Sequence, residues 1–116
     1  MVESEWVRCR AWLIPAMEDT TEPDVLLNLR SGHAQLWPGE RSAFVTQCVI
    51  DPKRMHVWLA GGDMRELLSM IPGMAAWGRS MGCEWASVNG RRGWARILKR
   101  FGFEERDDGE IWKALG

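Results

Sequence analysis

The chain has 116 residues, of which 46% are hydrophobic and 27% charged, and a formal net charge of -1 at pH 7. That balance fits one compact domain over residues 1–116 and excludes a disordered tail or a globally polycationic nucleic-acid binder. No run reaches the ~20 apolar residues of a bilayer span, and no basic start followed by an apolar run marks a secretory signal, so neither a membrane segment nor export is expected.

Residues 4–17 repeat apolar groups at Trp6, Cys9, Leu13 and Met17, a helical spacing that Ser4 is placed to cap and Pro15 to break. Thr21 before Pro23 and Asp24 starts a second, short helix closed by Gly32. Three β-rich runs follow, at about 34–37, 43–50 and 55–60, parted by Pro-Gly and Asp-Pro-Lys turn signals as in an antiparallel meander. In "AFVTQCVI", Phe44, Thr46, Cys48 and Ile50 alternate with Val45, Gln47 and Val49, so both faces of that strand are expected to be partly covered. Asp63 then caps a helix carrying Met64, Leu67, Leu68 and Ile71. Pro72 is expected to interrupt it, with the pattern resuming from Met74 through Trp77 to Met81 and ending at Gly82. "CEWASV" reads as a strand, the segment from about Gly93 to Phe101 as a helix, and "GEIWKAL" as the last strand. A strand, helix and strand in succession imply a βαβ crossover, so the meander should give way to a parallel pair in a mixed α/β sheet.

Candidate sites follow from these elements. Trp94, Ile97, Leu98 and Phe101 share one helix face and belong to the core, leaving Arg92, Arg96, Lys99 and Arg100 on the solvated side. Arg91 stands with Gly90 and Gly93 at a strand-to-helix junction, where free N–H groups favour an anion or a partner's carboxylate. In "LAGGDMREL", Gly61 and Gly62 permit close backbone approach and the first helical turn offers N–H groups to a pyrophosphate, although Asp63 competes for those same donors. His33 and His56 have no ligand-spaced companions, and Cys9, Cys48 and Cys83 lack CxxC spacing, so no metal site or disulfide framework is suggested and a reducing cytoplasm fits. "EERDDGE" reads as a solvated hairpin turn. Eight tryptophans and no tyrosine exclude phenol chemistry, and the core has limited room for so many indoles. Those that reach the surface suit a protein interface.

Over residues 34–116 the order strand, Gly-Gly, helix, "GCEWASV", helix, "FGF", strand resembles the GNAT acyltransferase superfamily. That likeness implies a V-shaped opening between two parallel strands for the pantetheine arm of acetyl-CoA, and a Q/R-x-x-G-x-G/A loop for its pyrophosphate. The corresponding positions here are Gly61, Gly62, Asp63, Met64 and Arg65, without that motif. In the family's final helix Arg91 stands where an Asn is usual, Trp94 where an Ala is usual, and Leu98 where a proton-donating Tyr is usual. The segments "AQLW", "VWLAGG" and "GRRGWARIL" are similar to those of small GNAT-like proteins of bacteriophages and prophages, with two N-terminal helices in place of the usual first strand.

The resemblance implies a GNAT-like mixed sheet flanked by helices that has lost the usual acetyl-CoA apparatus. It would serve as a protein-binding, self-associating or assembly module, cytoplasmic or virion-associated, without a cofactor. Partner contact is then expected through Trp37, Arg91 and Arg92. The alternative is an acetyl-CoA-dependent N-acyltransferase with an atypical site, in which Gly61, Gly62, Met64 and Arg65 hold the cofactor. A third possibility, nucleic-acid binding through the basic helix face, is disfavoured by the net charge.

Overall fold

The computed structural model describes residues 3–50, 53–89 and 94–115. Helix α1 (Glu3–Leu13) runs into a 3-10 turn at Ile14–Ala16, and α2 (Glu22–Ser31) follows. Strands β1 (Ala34–Pro38), β2 (Ser42–Val49) and β3 (Arg54–Gly62) lead to α3 (Met64–Ser80) and β4 (Trp85–Asn89). Helix α4 (Trp94–Leu98) tightens to a 3-10 turn at Lys99–Phe101 before β5 (Glu104–Glu105) and β6 (Glu110–Ala114). The six strands form one mixed sheet in the order β1-β2-β3-β4-β6-β5. Strands β1 and β2 pair antiparallel, β3 and β4 parallel, and β6 pairs antiparallel with both β4 and β5. The α/β class, the sheet flanked by helices and the change from antiparallel to parallel pairing agree with the sequence.

Contacts gather the chain into two compact units, one formed by Met1–Gln47 with Trp58–Pro72 and the other by Cys48–Val57 with Gly73–Gly116. Strands β2 and β3 and helix α3 each contribute one end to either unit.

In the first unit the predicted stripe of α1 buries Trp6, Cys9 and Leu13 against Val25 and Leu29 of α2 and Ala34, Ala43, Val45 and Leu59 of the sheet. Burial of the larger of these stabilises by roughly 1.5–3 kcal/mol each. Helix α2 is bounded as its sequence dictates: Thr21 Oγ1 accepts from the Asp24 N–H, and Gly32 closes the last turn at φ 84°. Ser4, expected as a cap, lies inside α1, which already includes Glu3. The α1–α2 pair is stapled by Glu22, whose Oε2 accepts from Trp6 Nε1 at 2.9 Å while both carboxylate oxygens accept from Arg10 at 2.7 Å.

In the second unit Met55, Met74, Cys83, Ala86, Val88, Leu98, Phe103, Ile111 and Leu115 are buried. Gly78 brings α3 close to the sheet, since a Cβ there would stand 3.1 Å from Leu115 Cδ1 and 3.6 Å from Met55 Sδ.

Further expectations are corrected. Pro72 does not interrupt α3, which continues through it to Ser80. A proline inside a helix costs about 3 kcal/mol, whereas Leu67 and Met74 on either side are 1% and 3% exposed and together outweigh that loss. Of the helix expected from about Gly93 to Phe101, Gly93 lies outside the described residues and the rest is a five-residue α-helix, Trp94–Leu98, that tightens to a 3-10 turn, Lys99–Phe101, ended by Gly102 at φ 88°. The acidic turn contributes a further strand, β5, whose Glu104 and Glu105 pair with Trp112 and Ile111. Strand β2 is covered on both faces as expected from Ala43 to Thr46, but its far end is open, with Cys48 exposed.

The ion pair with Arg10, then the Trp6 hydrogen bond, holds the Glu22 carboxyl down at about 2 from an ordinary 4.5. A lowered carboxylate stabilises the fold above its unfolded value, and the contribution disappears as pH falls from about 4.5 through about 2. Glu22→Gln is therefore expected to lower urea stability by roughly 1 kcal/mol at neutral pH, after allowance for solvent screening. The difference from the parent should close as the titration approaches pH 2.

Candidate functional site

The junction between β3 and α3 was singled out by sequence, and its glycines have a packing reason. A Cβ on Gly61 would fall within van der Waals contact of the Trp12 carbonyl oxygen, and one on Gly62 would meet the Arg41 carbonyl and the Ser42 backbone. Gly62 also adopts φ 108°, a conformation that side chains other than glycine's rarely take. The close backbone approach that these glycines allow is thus used by the chain itself.

The first turn of α3 is likewise engaged. Asp63 donates its N–H to the Arg41 carbonyl at 2.9 Å, and its Oδ1 accepts from the Glu66 N–H at 3.1 Å. Glu66 Oε1 in turn accepts from the Arg41 N–H at 2.9 Å and from the buried Ser42 hydroxyl. The Ser42 bond first, and the Arg41 N–H second, hold the Glu66 carboxyl below its ordinary range. Met64 and Arg65 point to solvent from this turn, Met64 at 38% exposure.

The second unit carries a different constellation on one face of β3, β4 and β6. Register sets Arg54 beside Trp85, His56 beside Ser87, and Ser87 beside Trp112. Paired residues on adjacent strands point to the same face, which brings these five side chains together. Trp85 and Trp112 meet edge to face, with centroids 5.8 Å apart and planes at 63°. The Arg106 guanidinium lies 5.1 Å from the Trp85 ring and 4.3 Å from the Trp112 ring, and Arg54 lies 4.7 Å from Trp112. Such cation–π contacts contribute roughly 0.5–2 kcal/mol each. Trp112 Nε1 donates to Glu110 Oε1 at 3.1 Å. An open groove of about 560 Å³ is lined by Trp85, Trp112, Arg106, Glu104, Glu105 and Lys113, among others. Arg106 lines this groove, and among the described residues its guanidinium makes no side-chain hydrogen bond or ion pair.

Beneath the indoles, Arg54 Nε donates to Ser87 Oγ at 3.1 Å, and Ser87 Oγ lies 2.7 Å from His56 Nδ1. Burial lowers the His56 pKa from its ordinary 6.5, outweighing the opposing pull of Glu110. The ring is therefore neutral near pH 7, and its Nδ1 shares a hydrogen bond with the Ser87 hydroxyl. Ser87 is 0% exposed, so its hydroxyl cannot reach a substrate, and the pair orders the sheet face without forming a nucleophile.

Of the other residues singled out by sequence, Trp37 lies on β1, where its Nε1 donates to Thr46 Oγ1 at 2.9 Å. Arg91 and Arg92 lie outside the described residues. On the basic helix, Lys99 is paired with Glu105 at 3.0 Å, while Arg96 and Arg100 are exposed. Of the described indoles Trp6 is buried and Trp12, Trp37, Trp58, Trp77, Trp85 and Trp112 are half-buried. Among the described residues no group of three or more His, Cys, Asp or Glu side chains is arranged to hold a metal, and no helix is long and apolar enough to cross a membrane.

No protein-family model matches the chain, and no curated protein matches it.

Because the His56 pKa is lowered, the unfolded chain takes up a proton below about 6.5 that the folded protein declines. Stability is accordingly expected to fall as pH drops through that region. A carbon-proton NMR titration should place the His56 transition below 6.5. His56→Gln should flatten this part of the stability profile.

Proposed function

We propose that the chain is a GNAT-like domain that acts as a protein-binding or assembly module without acetyl-CoA chemistry, the resemblance supplying a phage or prophage setting. The observation that carries this reading is the closed β3–α3 junction. Trp12 and Ser42 occupy the approaches to Gly61 and Gly62, and Asp63 supplies a carboxylate to the turn that would otherwise face a pyrophosphate. A phosphate arriving there would meet like charge and an N–H already bonded. The chain also has no tyrosine to protonate a departing thiolate.

The binding surface in this proposal is the groove over Trp85, Trp112 and Arg106. Indoles stacked under a guanidinium are amphipathic and held in place on one face, the qualities of an interface anchor. Its partner is a polypeptide that seats apolar groups on the indoles and offers carbonyl oxygens to Arg106. Glu104 and Glu105 in the groove lining select basic flanking residues in that partner and oppose a polyanion.

One observation favours a second reading, an atypical N-acyltransferase. Among the described residues the parallel ladder pairs Arg54–Val57 with Trp85–Val88, and β3 itself continues to Gly62. An extended thiol-bearing arm would find backbone donors and acceptors on such a strand.

Thermal-shift titrations with acetyl-CoA and with CoA separate the two. No shift at millimolar ligand is expected, whereas a saturable rise in Tm would overturn the module reading in favour of the transferase. Selection from a random peptide library should enrich apolar sequences flanked by Lys or Arg. Trp112→Ala and Arg106→Ala should each weaken the selected peptides at least roughly tenfold. Enrichment of acidic sequences, or binding indifferent to both substitutions, would remove the groove from the proposal.

A further inference from the structure

We propose that Arg54, Ser87 and His56 form an acid-released latch beneath Trp112: on taking up a proton, His56 displaces Arg54 from Ser87 and from the indole, and the groove weakens its hold on a peptide. The change in affinity rests on the groove reading above, whereas the latch is a property of the chain alone. Its geometry is one hydroxyl shared by two nitrogen groups. Ser87 Oγ lies 2.7 Å from His56 Nδ1 and accepts from Arg54 Nε at 3.1 Å, and the same Arg54 guanidinium lies 4.7 Å from the centroid of the Trp112 ring. Strand register fixes this arrangement, since His56 is paired with Ser87 and Ser87 with Trp112.

In the imidazolium both ring nitrogens carry hydrogen, whichever of them held it before. Nδ1–H is then directed at the oxygen that already receives Arg54 Nε–H, and two cations converge on one atom. Ser87 is wholly buried, so solvent screens their repulsion weakly. Arg54 is the group that yields, because it is half-buried on a long flexible stem while the shorter His56 side chain stays with its strand. Glu110 of β6 attracts the charged ring, but its Oε1 is engaged by Trp112 Nε1 at 3.1 Å. The β5 hairpin brings Glu104, in register with Trp112, and Arg106 over both indoles. Strand β4 contributes no charged residue, and β2, on the other side of β3, carries no acidic or basic one. Burial holds the His56 pKa below its ordinary 6.5 against the pull of Glu110, with Arg54 adding to the depression, so release falls on the acid side of 6.5. Trp112, covered by Arg106 alone, then regains a freedom that binding must remove.

An NMR titration of the full chain downwards from neutral pH, following the His56 ring, the Arg54 Nε–H and the Trp112 indole, tests the latch without a ligand. The Arg54 and Trp112 signals should move with the His56 midpoint, and His56→Gln should abolish that shared transition. Affinity for a library-selected peptide should fall at least roughly threefold across the same midpoint, the effect of losing one cation–π contact. His56→Gln should remove this acid loss, and Arg54→Gln should bind at neutral pH as weakly as the parent does in acid. Arg54 and Trp112 signals that ignore the His56 titration would overturn the latch, as would an acid loss of affinity that persists in His56→Gln. If no peptide binds at any pH the groove reading falls, and the resonances still decide the latch.

Discussion

The end of β3 is a place where two backbones need the same space, and glycine is the only residue that grants it. With no side chain at Gly61, the Trp12 carbonyl approaches the strand, and with none at Gly62 the Arg41–Ser42 backbone does the same. From this contact the adjoining network follows. Arg41 accepts the Asp63 N–H, Asp63 starts α3, and α3 then carries Glu66 back to the Arg41 N–H and the Ser42 hydroxyl. Buried Ser42 needs an acceptor, half-buried Asp63 needs a donor, and one turn of helix supplies both. A Gly-Gly pair between strand and helix is ambiguous from sequence because it serves a ligand's backbone approach and the protein's own approach equally well.

The second unit solves a different problem, how to keep indoles half-exposed without leaving a loose apolar patch. Arg106 covers two rings and Arg54 one, and each guanidinium retains N–H edges for acceptors. Arg54 donates one of these to Ser87. A lysine in either position would offer a point charge without the flat surface that matches an indole face.

Most of the fold could be read from local patterns. The α1 stripe, the Thr21 and Gly32 boundaries of α2, the three strands before α3 and the parallel return of β4 all rest on signals within a few residues of one another. Pro72 was misleading because the cost of a helical proline is local, while the burial of Leu67 and Met74 that outweighs it depends on neighbours distant in the chain. Strand β5 was hidden because Glu104 and Glu105 have no β propensity of their own and are recruited by pairing with β6. The sheet-face constellation was hidden for a related reason. Its signal is an alternation shared by "RMHVW", "WASVN" and "EIWKA", in which Arg54, His56, Trp85, Ser87 and Trp112 take every second position. Only the register shows that these alternations coincide on one face, and nothing in the acidic turn marks Arg106 as the residue that folds back over the indoles.

A serine beside a histidine invites a catalytic interpretation, and the geometry shows why it fails here. In a nucleophilic pair the hydroxyl must be open to substrate, and the imidazole must be able to hold a proton as charge develops. Ser87 is wholly enclosed, its oxygen already accepts from Arg54, and burial works against a charged His56 ring. Each feature that removes reactivity also stiffens the face. The hydroxyl fixes the orientation of both Arg54 and His56, and Arg54, so held, fixes one side of Trp112. The same three residue types that another fold would use to move a proton are used here to hold an aromatic surface still, which lowers the entropy that any ligand of that surface would have to overcome.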